Sequence, residues 1–428
     1  MKFLSVFLIV FFLFLVGCGA PTNKSKNNDD KVTQNNKTEI IFWHGMGGPL
    51  GKTLDELIQK FNATHDNIVV KGVHMGSYDT LQQKIIASLM AKTSPDIAQC
   101  YEALTMKLLS AGKLVCLDDY IKKEKNFNLA DIYPVFIKNN TYNGKIYSFP
   151  FNKSLPLLYY NKDMFKKAGL DPEKPPKTWD EMYDYSVKLT KDLDGDGKID
   201  QWGQAFSTSA WIYECMILQA GGEIYSKDSK KAEFDSLESV KSLEYLIKTL
   251  NNVAYKTVGF DHQNDFVAGK VGMIMGSSVS KVFMGKQITF DYGIAPLPKD
   301  KKKGVILSGT NVVVLKSNTA KEKAAWEFIK WFTAPEQTAY WSIRTNYLPV
   351  RKSAMNTDIM KSALKNDIGF DALSSQLDYA DFEPRMPEWY TARQILQQAL
   401  DKALIEKGDA AIFLKEANKK INEELSQK

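Results

Sequence analysis

The sequence predicts an α/β protein of two lobes built on largely parallel sheets. Two observations carry that expectation. Strand-like and helix-like segments alternate along the chain, the order from which helix-covered parallel sheets are made. Beyond an N-terminal leader and tether of 37 residues, 428 − 37 = 391 residues remain, more than one ordinary core holds and suited to two or three domains. The first strand is read at Glu39–Trp43 and the next at residues 67–73 (NIVVKGV), both flanked by polar residues. Between them, the spacing of Leu54, Leu57, Ile58 and Phe61 predicts a helix over residues 52–62. Thr178-Trp179-Asp180-Glu181, after Pro175-Pro176, has the form of a capping box with Trp179, Met182 and Tyr183 turned inward. Val312–Leu315 reads as a short buried strand and residues 321–332 (KEKAAWEFIKWF) as an amphipathic helix. The last third is mostly helical, broken at Gly408, and no fixed-period repeat is present.

Met1-Lys2 supplies a charged start, Phe3–Val16 is a nearly pure apolar run, and Leu15-Val16-Gly17-Cys18 closes it. This is the form of a secretory signal peptide over residues 1–17; a spanning helix needs about 20 apolar residues. Cys18 directly after Leu-Val-Gly resembles the lipobox of bacterial lipoproteins, which implies an acylated, palmitate-type Cys18 at the mature N-terminus. Residues 19–37 are rich in Asn and Lys and lack an aromatic, so they cannot bury a core and read as a flexible tether over 18–37. The body is therefore expected on the extracytoplasmic face of the cell membrane, held there by a lipid.

Hydrophobic content of 44% and charged content of 25% describe a globular chain, not a disordered one. The formal net charge is +6; loss of Lys2 with the leader leaves 6 − 1 = +5, mild for this size. Its charges are interspersed except at Lys299–Lys303, which reads as a solvated loop. Without a basic helix or an aromatic-interleaved patch, no nucleic-acid partner is expected. Cys100, Cys116 and Cys215 lie in apolar contexts without C-x-x-C spacing and read as small buried hydrophobes. His44, His65, His74 and His262 are scattered, which argues against a zinc site.

Gly45–Thr53 (GMGGPLGKT) comes close to a phosphate-binding P-loop, but Met46 stands where that pattern needs its first glycine. The segment reads as a glycine-rich turn into a helix, able to line a cleft. Asp192, Asp194, Asp196, Gly197 and Asp200 take positions 1, 3, 5, 6 and 9 of an EF-hand loop, while Gly203 replaces its closing glutamate. A structural Ca2+ and a plain Asp-Gly turn both fit. No other cofactor is expected. There is no G-x-S-x-G elbow and no H-E-x-x-H, so nothing demands catalysis and the chain is read as a non-enzyme.

Pro150–Leu170 (PFNKSLPLLYYNKDMFKKAGL), its continuation DPEKPPKTWDEM, Phe266–Met275, Gly293–Pro298 and Tyr347–Val350 together resemble the extracellular solute-binding proteins of ABC importers. The likeness runs from about Thr38 to near the C-terminus. Ile40–Ala63 and the phrase MGSYDTLQQKI draw it toward the branch that binds sn-glycerol 3-phosphate. The resemblance implies a type II two-lobe periplasmic-binding fold whose hinged interlobe cleft holds a small molecule. Expected lobe boundaries are 38–148 plus 303–345 and 149–302 plus 346–428, with crossings near Ser148–Pro150, Pro296–Ser308 and Thr345–Leu348. The branch holds its ligand with tyrosine, glutamate, serines, glycine and arginine. Carried over, these fall on Tyr78, Glu102 (after Tyr101), Ser154, Ser277 (with Ser278 and Ser280 as register alternatives), Gly309, Tyr347 and Arg385, with Arg393 as the rival arginine. Trp211 is expected to cover the ligand. A guanidinium fork with hydroxyl and backbone N–H donors suits a phosphate, and Glu102 suits glycerol hydroxyls. The resemblance thus implies a monomeric, lipid-anchored protein delivering glycerol 3-phosphate or a glycerophosphodiester to permease subunits. The alternative in the same class is an oligosaccharide stacked on Trp43, Trp202, Trp211 or Trp389.

Overall fold

The computed structural model describes residues 37–226 and 231–426. The expected signal peptide, the lipidated Cys18 and the tether before Lys37 lie outside them. Two five-stranded sheets carry the fold. The first runs in the order Ile68–His74, Thr38–His44, Ile97–Cys100, Asn311–Val314, Phe149–Pro150. The second runs Tyr292–Pro296, Pro156–Asn161, Val271–Ser277, Trp202–Ser207, Ala254–Thr257. The strands expected at 39–43, 67–73 and 312–315 are all present, each displaced by about one residue.

The sheets are mixed, which corrects the expectation of largely parallel ones. In the first, Thr38–His44 pairs parallel to both neighbours, whereas Asn311–Val314 runs antiparallel to both of its own. In the second, Pro156–Asn161 runs antiparallel to both flanking strands, while the other two pairings are parallel. The reversed strands are those that arrive from the other sheet. A chain entering a sheet from a crossing need not make the βαβ return that enforces parallel pairing.

Local signals account for the helices. Gly48–Thr64 buries Leu50, Leu54, Leu57, Ile58 and Phe61 along one stripe. Trp179–Leu189 starts where Thr178 Oγ1 accepts from Glu181 N at 3.1 Å, and Glu181 Oε2 accepts from Lys177 N at 2.6 Å. Thr319–Phe332 matches the predicted amphipathic helix, and Gly408 separates Trp389–Glu406 from Ala410–Ser426. Lys301, Lys302 and Lys303 are exposed, on the loop before Val305–Leu307. Cys100 and Cys215 are buried free thiols; Cys116 is half-buried, its Sγ 3.6 Å from Asp118 Oδ2.

Aromatics fill the core beneath the first sheet: Phe151 stacks on Trp341 at 5.5 Å, and Trp341 lies nearly parallel to Tyr347 at 5.8 Å. Phe149–Pro150 belongs to the first sheet, and Asp358–Leu364 packs with the helix Pro335–Thr345. That helix lies on Gly48–Thr64, so the first lobe gathers more of the residues after 345 than the sequence suggests. The helices Trp389–Glu406 and Ala410–Ser426 pack with Leu237–Asn252 on the side of the second sheet.

The helix Ala210–Ala220 is buried nearly all round, and its buried residues include Glu214. Neither Glu214 carboxylate oxygen finds a hydrogen-bond partner among the described residues. Burial pushes this carboxyl well above the usual carboxylate range, and the neighbouring Glu383 adds to the shift. The folded chain therefore keeps a proton that the unfolded chain releases above a pKa of about 4.3. Stability is fully present below that value and falls as pH rises toward the raised one, by up to about 1.4 kcal/mol per pH unit. Glu214→Gln keeps the shape and removes the titration. Its urea midpoint should change less between pH 5 and pH 8 than the wild-type midpoint and should exceed it at pH 8. An undiminished slope in the variant would count against this account.

Candidate functional site

Three connections between the sheets lie side by side. Ser154 and Ser308 exchange main-chain hydrogen bonds of 3.1 and 2.9 Å, and Leu348 N donates to Lys153 O at 2.7 Å. Ser278 Oγ donates to Asn346 O at 2.8 Å. Ser308, Asn346 and Leu348 fall within the expected crossings Pro296–Ser308 and Thr345–Leu348, whereas Lys153 and Ser154 come after the expected Ser148–Pro150, because Phe149–Pro150 is still a strand of the first sheet. Gly309 is needed there: its φ is +88°, and a Cβ would overlap the Asn152 carbonyl oxygen.

Over this floor opens a cleft of about 620 Å³. The Gly45–Gly48 turn, Tyr78, Tyr101 and Tyr347 border it on one side, Trp211, Ser277 and Ser280 on the other, with Ser154 and Gly309 below. A second chamber of about 560 Å³ shares Tyr78 and Tyr101 and holds the charged groups Asp79, Glu102, Glu383 and Arg393. Six of the eight predicted residues thus reach the cleft, and Glu102 reaches the chamber beside it. The Gly45–Gly48 turn serves as a wall, as expected, with Gly45 N held by Gln99 Oε1 at 2.8 Å.

The phenols are set up as donors. Thr310 N and Oγ1 donate to Asn152 Oδ1 at 2.9 and 2.6 Å, which fixes that amide's orientation. Asn152 Nδ2 then donates to the Tyr78 hydroxyl at 2.9 Å, which fixes the direction of that phenol. Burial pushes Tyr78 up and holds Tyr101 and Tyr347 well above the usual phenol range. All three keep their protons near neutral pH. The Tyr78 and Tyr101 rings meet edge to face at 5.2 Å, and the Trp211 indole is pinned by its Nε1 bond to Ile306 O at 2.8 Å.

Arg385 is the correction. Its Nη1 donates to the carbonyls of Lys138 and Thr141, and its guanidinium lies over Tyr142 and Phe382 at 5.1 and 5.3 Å. It borders a separate hollow with Lys138 and Thr141, not the cleft. Pro384 and Pro387 bracket it in a segment ahead of the helix Trp389–Glu406, and that segment turns its side chain away. Arg393, a turn into that helix, faces the charged chamber instead. Its ion pair is with Glu383, Nε to Oε1 at 3.4 Å, and it makes no hydrogen bond among the described residues. Glu383 raises the Arg393 pKa, so the guanidinium stays charged. Glu383 is itself pushed up by burial, against the pull of Arg393, and accepts from Trp389 Nε1 at 3.1 Å. Across the chamber mouth, Tyr390 OH donates to Asp79 Oδ1 at 2.8 Å, which ties the two sides together.

Tyr101, Glu383, Asn152 and Lys153 escaped the sequence reading as site residues. Only Tyr101 carried a signal, through its place beside Glu102. Of the four tryptophans proposed for sugar stacking, Trp211 alone borders the main cleft. Trp389 is 2% exposed and stacks on Phe234, Trp202 packs on Tyr255, and Trp43 packs against the buried cluster around Leu81. In the Asp192–Asp200 loop, the carboxylates of Asp192, Asp194 and Asp200 have oxygens within 4.8 Å of one another, all exposed. Asp196 turns to Lys198 at 3.2 Å. Asp192 accepts from Gly195 N and Gly197 N at 2.7 and 2.8 Å, bonds that hold its carboxyl below the usual range. The loop is closed by main-chain donors, and Gly203 is occupied in the strand Trp202–Ser207.

The description "bacterial extracellular solute-binding protein" fits the family that matches residues 56–367. The sn-glycerol-3-phosphate-binding periplasmic protein UgpB of Escherichia coli (strain K12) is 30% identical over 357 residues, 79% of this chain and 80% of its own. Its namesake from Pectobacterium atrosepticum is 29% identical over 410 residues, 88% and 91% of the two chains. Among solved structures, UgpB from Mycobacterium tuberculosis in complex with glycerophosphocholine aligns with a TM-score of 0.82 at 23% identity, over 91% and 99% of the chains. The cyclic alpha-maltosyl-1,6-maltose binding protein from Arthrobacter globiformis aligns at 0.79 and 24%, over 92% and 100%. These two structures establish the fold, the two-lobe type II architecture expected from the sequence. With the family match covering most of the chain and relatives this similar, the chain belongs to the bacterial extracellular solute-binding proteins, the components that capture small molecules for ABC importers.

Proposed function

We propose that this protein binds sn-glycerol 3-phosphate or a glycerophosphodiester in the cleft and hands it to the permease subunits of an ABC importer, without catalysis. The observation that carries the reading is Arg393: a guanidinium held charged by Glu383, free of hydrogen bonds among the described residues, in a chamber that shares Tyr78 and Tyr101 with the cleft. A phosphate takes a guanidinium edge together with hydroxyl donors, and Tyr78, Ser154, Ser277 and Tyr347 supply those donors. Glu102 is the acceptor for glycerol hydroxyls. The names of the 30% identical relatives support the same ligand. Closure would be a hinge motion about the three crossings, and the closed form is the one a permease reads. The apolar run Phe3–Val16 followed by Cys18 supports a lipid anchor on the outer face of the cytoplasmic membrane.

Two measurements test this. Arg393→Ala should weaken binding of sn-glycerol 3-phosphate by about 2–5 kcal/mol, the loss for truncating a charged, hydrogen-bonding partner. Arg385→Ala should leave the affinity unchanged. Titration calorimetry distinguishes the two variants; the reverse pattern would return the ligand to Arg385 and sink the assignment. Separately, a thermal-unfolding panel compares glycerol 3-phosphate, glycerophosphocholine, maltose and a longer oligosaccharide. A ligand at about 100 times its Kd stabilises by about 2.7 kcal/mol. Stabilisation by the phosphate compounds alone is expected. A response to the sugars alone would leave the fold class standing and replace the ligand.

A further inference from the structure

Lys153 lies directly before Ser154, yet it borders neither chamber. Its side chain is wholly buried beneath the floor, an unusual place for an ammonium, which is seldom buried unless paired. Nζ stands 3.3 Å from Glu102 Oε1, 3.0 Å from Asn139 Oδ1 and 3.4 Å from the Gly309 carbonyl. Asn311 Nδ2 reaches the same two side-chain oxygens, Glu102 Oε1 at 3.4 Å and Asn139 Oδ1 at 3.0 Å. One oxygen of Glu102 is thus held from below by an ammonium and an amide. Glu102 Oε2 accepts no hydrogen bond among the described residues, and Glu102 borders the charged chamber with Arg393. The other charged or titratable groups acting on this cluster are Glu383, Arg393, Tyr101 and Tyr142. Burial lowers the Lys153 pKa, and the Glu102 charge opposes that shift.

An inventory of formal charge shows what Lys153 changes. Asp79, Glu102 and Glu383 place three carboxylates around a chamber in which Arg393 is the single cation on the wall. A phosphate entering such a chamber would add further negative charge beside Glu102, and like charges in a buried site repel strongly. The ammonium beneath the floor offsets the Glu102 charge without occupying ligand space.

We propose that Lys153 is a specificity-determining positioning residue: by fixing and neutralising Glu102 from below, it lets Glu102 accept a ligand hydroxyl beside a bound phosphate instead of repelling that phosphate. This rests on the glycerophosphate reading and assigns a residue on which the choice between an anionic polyol and a neutral sugar turns. A neutral sugar meets no such repulsion, so its binding does not need Lys153.

The test is calorimetric binding of sn-glycerol 3-phosphate to wild type, Lys153→Met and the charge-neutral double variant Glu102→Gln/Lys153→Met at pH ~7.5, where the ligand is mostly a dianion, its second pKa being about 6. Lys153→Met should bind about tenfold or more weakly, because the Glu102 charge then stands beside the phosphate without its cation. The double variant should bind more weakly than wild type but recover part of that loss, since Glu102→Gln removes the repelling charge. A merely structural role for Lys153 would not be rescued by removing the Glu102 charge. If Lys153→Met binds like wild type, or the double variant binds no better than the single one, the proposal is overturned while the glycerophosphate reading stands. Should the single variant fail to fold, a double variant that binds as tightly as wild type overturns it equally. If wild type binds no phosphate ligand, both fall together.

Discussion

The molecule depends on three strands of chain that cross between its sheets and bond to one another. Ser154 and Ser308 pair through both main-chain bonds, and Leu348 closes on Lys153 O. The crossing is tight enough that Gly309, at positive φ against the Asn152 carbonyl, accepts no side chain. Because the crossings pair at the level of the cleft floor, the residues they carry arrive there as a set: Ser154, Gly309 and Tyr347 come from three distant parts of the sequence. The Asn152 amide extends this order upward, taking Thr310 on one side and giving to Tyr78 on the other. A hydrogen-bonded main-chain floor thus sets the direction of a phenol in the wall.

Above the floor, chemistry divides. The main cleft offers neutral donors, the phenols and the serine hydroxyls, with Trp211 held by Ile306 O. The neighbouring chamber concentrates charge: Arg393 with Glu383, and Glu102 with Lys153. The Lys153–Glu102 pair is buried, and a buried ion pair carries a desolvation penalty that often offsets its attraction, so it is weak evidence for stability. Glu214 fits the same picture from the other side. It stays protonated because Glu383 and burial leave it no favourable way to ionise, which keeps one more negative charge away from Arg393. The fold tolerates three acidic side chains near one another because two have cations and the third keeps its proton.

Much of the fold was legible in the chain. Apolar spacing located the helices Gly48–Thr64 and Thr319–Phe332, the Thr178 cap located Trp179–Leu189, and short apolar runs located three strands of the first sheet. These features are local, and local propensity decides them. The sheet polarity was not legible, because it depends on which strands arrive by a crossing, and no periodicity records that. The packing of Asp358–Leu364 on Pro335–Thr345 was not legible for a related reason: it is a tertiary contact that no local pattern records.

The sequence by itself determined the family, the alternation of elements and those cleft-lining residues that sit inside recognisable phrases, such as Ser154 in PFNKS and Tyr347 in YLPV. It also named both arginines near the end of the chain without being able to choose between them. Only the tertiary structure separates their places. Arg385, between two prolines, spends its guanidinium on carbonyls of the first lobe, while helical pitch carries Arg393 to the chamber. Lys153 shows the same limit more sharply: in the chain it is one lysine of many beside a predicted serine. Its effect exists only because folding removes it from water and leaves Glu102 as its partner, and desolvation is a property of a place in space rather than of a residue in a sequence.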